Sequence, residues 1–157
     1  MKFFTFLALI AAVFCVSCKE RKVDKDTFFE QRIGGAAFSS KIALTDSERM
    51  HGLMGVKEMS ENEGMIFVFD IPHRASFWMK NTLIPLDIAY ADPEGKILQI
   101  SPMYPHSEVP VKAYSDNVLY CIEMNQGWFA KNNVKTGDRL DIDLLIKAIE
   151  ARRGAQK

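Results

Sequence analysis

Cysteine and histidine are scarce in this 157-residue sequence, with three of each. Cys15 and Cys18 stand close to the start of the sequence, which leaves Cys121 alone in the body of the chain, and one cysteine there makes no disulfide framework or zinc cluster. His51, His73 and His106 lie too far apart to suggest ligand spacing, and each reads as a surface or loop residue. An excess of either charge is also missing: 20 Lys and Arg stand against 20 Asp and Glu. Without a dominant basic face, nucleic acid and anionic membrane surfaces are poor partners. No serine elbow, phosphate-cradling glycine loop or activated-cysteine signature occurs, so no catalytic residue, cofactor or metal is assigned. Repeats and low-complexity segments are absent as well.

What is there begins at the first residues. Met1-Lys2 is followed by an apolar run from Phe3 to Phe14, which ends in the cluster Lys19-Glu20-Arg21-Lys22. One basic residue and then an uncharged apolar run is the pattern of a secretory signal. The run falls short of the ~20 residues of a membrane-spanning helix. Cys15-Val16-Ser17-Cys18 resembles a bacterial lipobox, in which Cys18 is acylated and becomes the mature N-terminus; Cys15 stands where the lipobox usually has leucine. Ordinary signal cleavage is the alternative, and an unacylated Cys18 could bridge to Cys121 in an oxidising compartment. The expectation is an exported protein, anchored by lipid on the periplasmic or extracellular face of a membrane. Residues 1–18 are then the signal and 19–35 a tether, although Phe28 and Phe29 are apolar enough to dock. Removing Lys2 leaves 19 basic against 20 acidic residues, still near neutral.

The remaining pattern is β-dominated. Strands are expected over Ala36–Leu44, Met65–Phe69, Ala75–Met79, Leu83–Tyr90, Lys96–Ile100, Val118–Met124 and Arg139–Asp143. Thr45 and Glu48 have capping-box spacing, so a short helix should run through Arg49 and Met50 and stop near Gly52 or Gly55. Pro72 is expected to end a strand, and Asp92-Pro93-Glu94-Gly95 to turn a hairpin. Pro102, Pro105 and Pro110 make residues 101–116 an irregular loop. Short helices are expected at Gln126–Asn133 and over the 144–157 tail, ending at Gly154. The fold class is mainly β with short helices, one compact domain closed as a barrel or packed as a sandwich.

Several blocks also occur in a specific order: Arg49-Met50-His51-Gly52-Leu53-Met54, Gly64-Met65-Ile66-Phe67-Val68-Phe69, Phe77-Trp78-Met79-Lys80-Asn81-Thr82 and Ile84-Pro85-Leu86-Asp87-Ile88. With Gly95, the Val118–Glu123 strand and Gly137-Asp138, they resemble the bacterial and archaeal family named domain of unknown function 192, over about residues 36–143. The resemblance implies a small β-rich domain, often exported, and supplies no activity.

Lys80, Asn81 and Asp87 lead the candidate residues. Lys80 and Asn81 leave an apolar strand at its rim. Asp87 sits among Leu86, Ile88 and Ala89, where an unpaired carboxylate is costly and a partner such as Lys80 or Arg49 is expected. One reading is a binding site for an anionic or carbonyl-bearing ligand built from Arg49, Trp78, Lys80, Asn81, Asp87 and Glu123; the other is a structural ion pair with turn contacts. Asp87, Glu123 and Lys80 would also serve an envelope enzyme. Met50, Met54, Met59, Met65, Met79, Met103 and Met124 suit Cu(I) chemically, but their scatter reads as core filling. Cys121, between Tyr120 and Ile122, reads as an inert buried thiol. Trp78, Tyr90, Tyr104, Tyr114, Trp128 and Phe129 could line a groove, roofed by the proline-rich loop, for a glycan, peptide or small-molecule ligand. A non-enzymatic binding or accessory domain is the leading expectation.

Overall fold

A computed structural model describes residues 23–155. The segment expected to direct export, with Cys15 and Cys18, lies outside the described residues. In chain order the elements are β1 (Phe29–Ile33), β2 (Ala36–Ala43), α1 (Asp46–His51), β3 (Glu63–His73), β4 (Ser76–Phe77) and β5 (Leu86–Ala91). They continue with β6 (Ile97–Met103), β7 (Val111–Lys112), β8 (Val118–Asn125), α2 (Trp128–Lys131) and α3 (Ile142–Gly154). Among these elements no helix is long and apolar enough to cross a membrane.

Six strands form one sheet in the order β1-β2-β3-β8-β5-β6, and β4 pairs with β7 in a separate ribbon. Every pair is antiparallel except β2 with β3, which α1 connects. Side chains alternate across the sheet, so it carries two cores. Ile42, Ile66, Ala89 and Ile122 pack on one face with Trp128, Phe129, Leu145 and Ala148 of the helices. Met65, Phe67, Ile88, Tyr90 and Cys121 pack on the other with Leu53, Ala75, Met79 and Ala113. The Tyr90 hydroxyl donates to the Val111 carbonyl at 2.7 Å and fixes the ribbon to this second face.

The layered packing fits a sandwich-like arrangement; closure into a barrel does not occur. The edge strands β1 and β6 do not pair with each other. Residues 137–141 stitch them at one end, through bridges Ile33 to Leu140 and Lys96 to Arg139. The strand expected over Arg139–Asp143 shrinks to those bridges because Asp141 caps α3, accepting from the Leu144 N–H, and Ile142 is already helical. Gly95 permits the stitch: a Cβ there would lie 2.6 Å from the Leu140 carbonyl oxygen.

Three further expectations need correction. The segment 19–35 is not a tether throughout, because its residues 29–33 form β1, with Gln31 and Ile33 fully buried against β2. Gly34-Gly35 is the two-residue turn of that hairpin. Pro72 does not end β3. The register with β8 shifts between Val68 and His73, so the proline falls where no ladder bond is required of it. Pro102 likewise lies within β6, an edge strand that has no neighbour on one side.

The C-terminal helix is integral to the domain. Leu145 and Ala148 enter the core, and Arg152, 2% exposed, pairs with Glu48 of α1. Arg152→Ala leaves Glu48 without its counter-ion and should cost about 3 kcal/mol in urea unfolding. The double variant E48Q/R152M should recover most of that loss.

Candidate functional site

The capping box predicted at Thr45 and Glu48 is present and starts α1. Arg49 then reaches back from the last turn. Its guanidinium donates to the carbonyls of Leu44 at 2.7 Å and Val68 at 2.8 Å, and pairs with Asp46 at 2.6 Å. Asp70 lies 3.7 Å away. The helix stops at Gly52, whose φ of 50° favours glycine. A Cβ at Gly52 would press on the Phe67 ring at 3.3 Å. The backbone therefore lies directly over the second face of the sheet.

Beneath this turn is a pit of about 30 Å³, lined by residues 49–54 with Phe67, Phe77, Trp78, Thr82 and Glu123. A larger groove of about 440 Å³ shares Arg49, Met50, Phe77 and Trp78 with the pit and adds Asp46, Phe69, His73 and Ser76. The groove is aromatic. Phe77 meets Phe67 edge-on at 4.9 Å, Phe69 meets His73 at 4.3 Å, and Trp78 is half exposed. A volume of this order suits a small ligand.

Glu123 closes the pit. It is 4% exposed, in a central strand, with Met65 and Ile88 as cross-strand neighbours. Among the described residues no hydrogen bond or ion pair reaches its carboxyl. Burial alone raises its pKa from 4.5 to about 8, so it is mostly protonated at neutral pH.

The structure divides the residues singled out from sequence. Arg49, Trp78 and Glu123 meet at one site. Lys80 is exposed beside it, its Nζ 5.5 Å from the centre of the Trp78 ring. Asn81 takes a φ of 58°, and its carbonyl accepts from the Gly55 N–H at 2.9 Å, so its role is to brace the loop that covers the pit. Asp87 is elsewhere. It faces Met124 across the ladder while Glu123 faces Ile88, which puts the two carboxyls on opposite faces of the sheet. Its partner is neither Lys80 nor Arg49 but the Gly127 N–H, at 2.8 Å. Burial raises its pKa and that hydrogen bond opposes the rise. Asp87, Glu123 and Lys80 thus share no pocket, and the catalytic grouping has no geometric basis.

The aromatics divide in the same way. Tyr90, Trp128 and Phe129 are core residues, Tyr104 and Tyr114 are exposed, and only Trp78 of the six lines the groove. The proline-rich loop does not roof it. Its Ser107 carbonyl and His106 N–H instead bond Met79 and Thr82, holding the turn on which Lys80 and Asn81 sit. Met65, Met79, Met103 and Met124 fill the core as expected, whereas Met50 is 76% exposed at the groove. Cys121 is buried, and burial pushes its thiol well above the ordinary value. Among the described residues no three His, Cys, Asp or Glu side chains converge as a metal site. Phe67, Phe77 and Thr82 line the pit without having been singled out; nothing in their local sequence separates them from ordinary core residues.

A family model described as Uncharacterized ACR, domain of unknown function 192, matches residues 29–142. The chain belongs to this family. The family match begins at β1, in agreement with the strand found there. Two solved structures resemble the chain. A protein of unknown function from Novosphingobium aromaticivorans DSM 12444 is 34% identical, with a TM-score of 0.69, over 73% of this chain and 84% of that one. A protein from Sinorhizobium meliloti 1021, provisionally described as a transcription regulator, is 31% identical, with a TM-score of 0.70, over 73% and 93%. No protein of curated function matches.

Two stability measurements follow from the contrasting carboxyls. For Glu123 the folded state holds its proton to about pH 8 and the unfolded state loses it near 4.5. Stability is therefore lost as pH rises through that window. Glu123→Gln should be more stable than the parent by up to ~3 kcal/mol at pH 7, with the gain vanishing near pH 4. Asp87→Ala should lose about 1–2 kcal/mol in denaturant unfolding, from the orphaned Gly127 N–H, without altering the groove.

Proposed function

We propose that this member of the family is a small-ligand-binding module of the cell envelope, held to the membrane by an acylated Cys18. The observation that carries the binding reading is Glu123: a carboxyl 4% exposed, without a partner among the described residues, in a pit that shares Phe77 and Trp78 with an aromatic groove. Burying such a group costs stability, and the fold carries that cost where a ligand has access. Phe77 and Trp78 offer apolar contact to the body of the ligand, and Glu123 offers one polar contact to its end. The enzyme reading is weaker, because Asp87 stands on the other face of the sheet. Transcription regulation is not carried over from the Sinorhizobium protein, since the near-neutral charge and the export-like segment favour no DNA contact.

The two tryptophans provide the test. Trp128 is buried and Trp78 is half exposed in the groove, so a ligand there should change the emission of Trp78 alone. A fluorescence screen of small ligands should give saturable changes that are lost in Trp78→Phe. Trp78→Ala should raise Kd at least tenfold with an unchanged Tm. Saturable binding that survives both substitutions would place the ligand elsewhere. The anchor is tested separately: labelled palmitate should enter the parent protein and not Cys18→Ala.

A further inference from the structure

Glu123 sets a demand that nothing in the described chain meets. The residues facing it from the flanking strands are Met65 and Phe67 of β3 and Ile88 and Tyr90 of β5, with Cys121 two positions along its own strand. The Tyr90 hydroxyl is spent on the Val111 carbonyl, and burial holds that phenol and the Cys121 thiol protonated, so neither offers Glu123 a positive charge. From α1 and its loop come two basic residues, Arg49 and His51, which line the pit. Arg49 is already committed to two carbonyls, Asp46 and Asp70, and is not bonded to Glu123. Thr82, 5% exposed, also lines the pit, and its hydroxyl makes no hydrogen bond among the described residues. The pit thus holds an unpaired carboxyl and an unpaired hydroxyl. At about 30 Å³ it has room for one small group. It shares Arg49, Met50, Phe77 and Trp78 with the groove, and the Lys80 ammonium lies 5.5 Å from the centre of the Trp78 ring.

Resting on the binding reading above, we propose that the ligand carries a primary ammonium on an apolar stem, with Glu123 as counter-ion of the ammonium and Phe77 and Trp78 around the stem. An ammonium supplies the direct counter-ion that Glu123 does not receive from Arg49. Three N–H donors can serve the Glu123 carboxylate and the Thr82 hydroxyl together, and the aromatic walls favour positive charge. An anionic head could accept one hydrogen bond from the protonated Glu123 but would gain no charge pairing from it, and the Arg49 Nη donors are committed elsewhere. A neutral alcohol or carbonyl would gain a single hydrogen bond and no charge pairing.

Binding of the ammonium requires Glu123 as carboxylate, so the proton it holds when the pit is empty goes to solvent. Affinity should therefore rise up to tenfold per pH unit from pH 6 to 8, then level until the amine itself deprotonates above 10. The experiment is calorimetry on the full chain in detergent, with hexylamine and phenethylamine against the alcohols of the same length and against hexanoate. Two buffers of different ionisation enthalpy count the protons released. The amines should bind at least tenfold more tightly than the alcohols and release close to one proton at pH 7. Glu123→Gln, expected to fold well, should lose both the preference and the release.

Alcohols or hexanoate binding as well as the amines, or amine binding unchanged in Glu123→Gln, would overturn the ammonium assignment. If such binding still required Trp78, the groove reading would stand without it. If no probe of any charge changed Trp78 emission, both readings would fall. Met50, His51 and Met54 line the same pit. Tight Cu(I) binding that displaces the amines, survives Glu123→Gln and is lost in M50A/M54A would overturn the assignment in favour of a soft metal.

Discussion

The Glu48 carboxylate accepts from the N–H groups of Leu44 at 2.8 Å and Thr45 at 3.1 Å and pairs with the buried Arg152 of α3. Burial works against its charge, but the backbone bonds and the Arg152 guanidinium outweigh it and hold the pKa below the ordinary value. Through this one group the start of α1 is fixed both to the end of β2 and to the C-terminal helix. Its neighbour Arg49 binds the carbonyls of Leu44 and Val68 and so fixes the far side of α1 to β3. A helix of six residues has little stability of its own. These two side chains give it a place, and the place decides where Gly52 turns over the sheet. Without them the cover of the Glu123 pit would have no defined position.

The sheet explains why two carboxyls adjacent in the ladder have different roles. Each strand side chain belongs to one face or the other, and a shift of one residue changes the face. Asp87 faces the helical side, where the Gly127 N–H answers it. Glu123 faces the ribbon side, where hydrocarbon and aromatic rings surround it. The first is a local clasp between β5 and the turn that follows β8. The second is an unsatisfied group in a stable frame, a pattern common where a protein reserves an interaction for another molecule.

Much of the fold was legible in the sequence because its signals are local. Thr45 and Glu48 gave the start of α1, the strand expected over Val118–Met124 is β8, and the ordered blocks gave the family. The misreadings came where a nearby partner changes what a residue is required to do. Pro72 is tolerated by a shift of register, Pro102 by an edge, and the Asp141 cap converts an expected strand into a helix start. Residues 19–35 read as a tether because they are rich in charge, yet Gly34-Gly35 turns a hairpin whose first strand is β1. For the site, sequence could nominate Arg49, Trp78 and Glu123 by residue type. It could not separate Glu123 from Asp87, because the face each occupies is set by pairing with residues far along the chain.

The incorporation of β1 into the sheet has a mechanical consequence. A free segment from residue 19 to residue 35 could span roughly 60 Å at ~3.5 Å per residue. With β1 starting at Phe29, about ten residues separate Cys18 from the sheet, a reach of at most ~35 Å. Asp26, clasped to Lys41 at 2.8 Å, shortens it again. If Cys18 is the point of attachment, so short a reach would restrict the orientations open to the domain and confine its encounters to the bilayer surface.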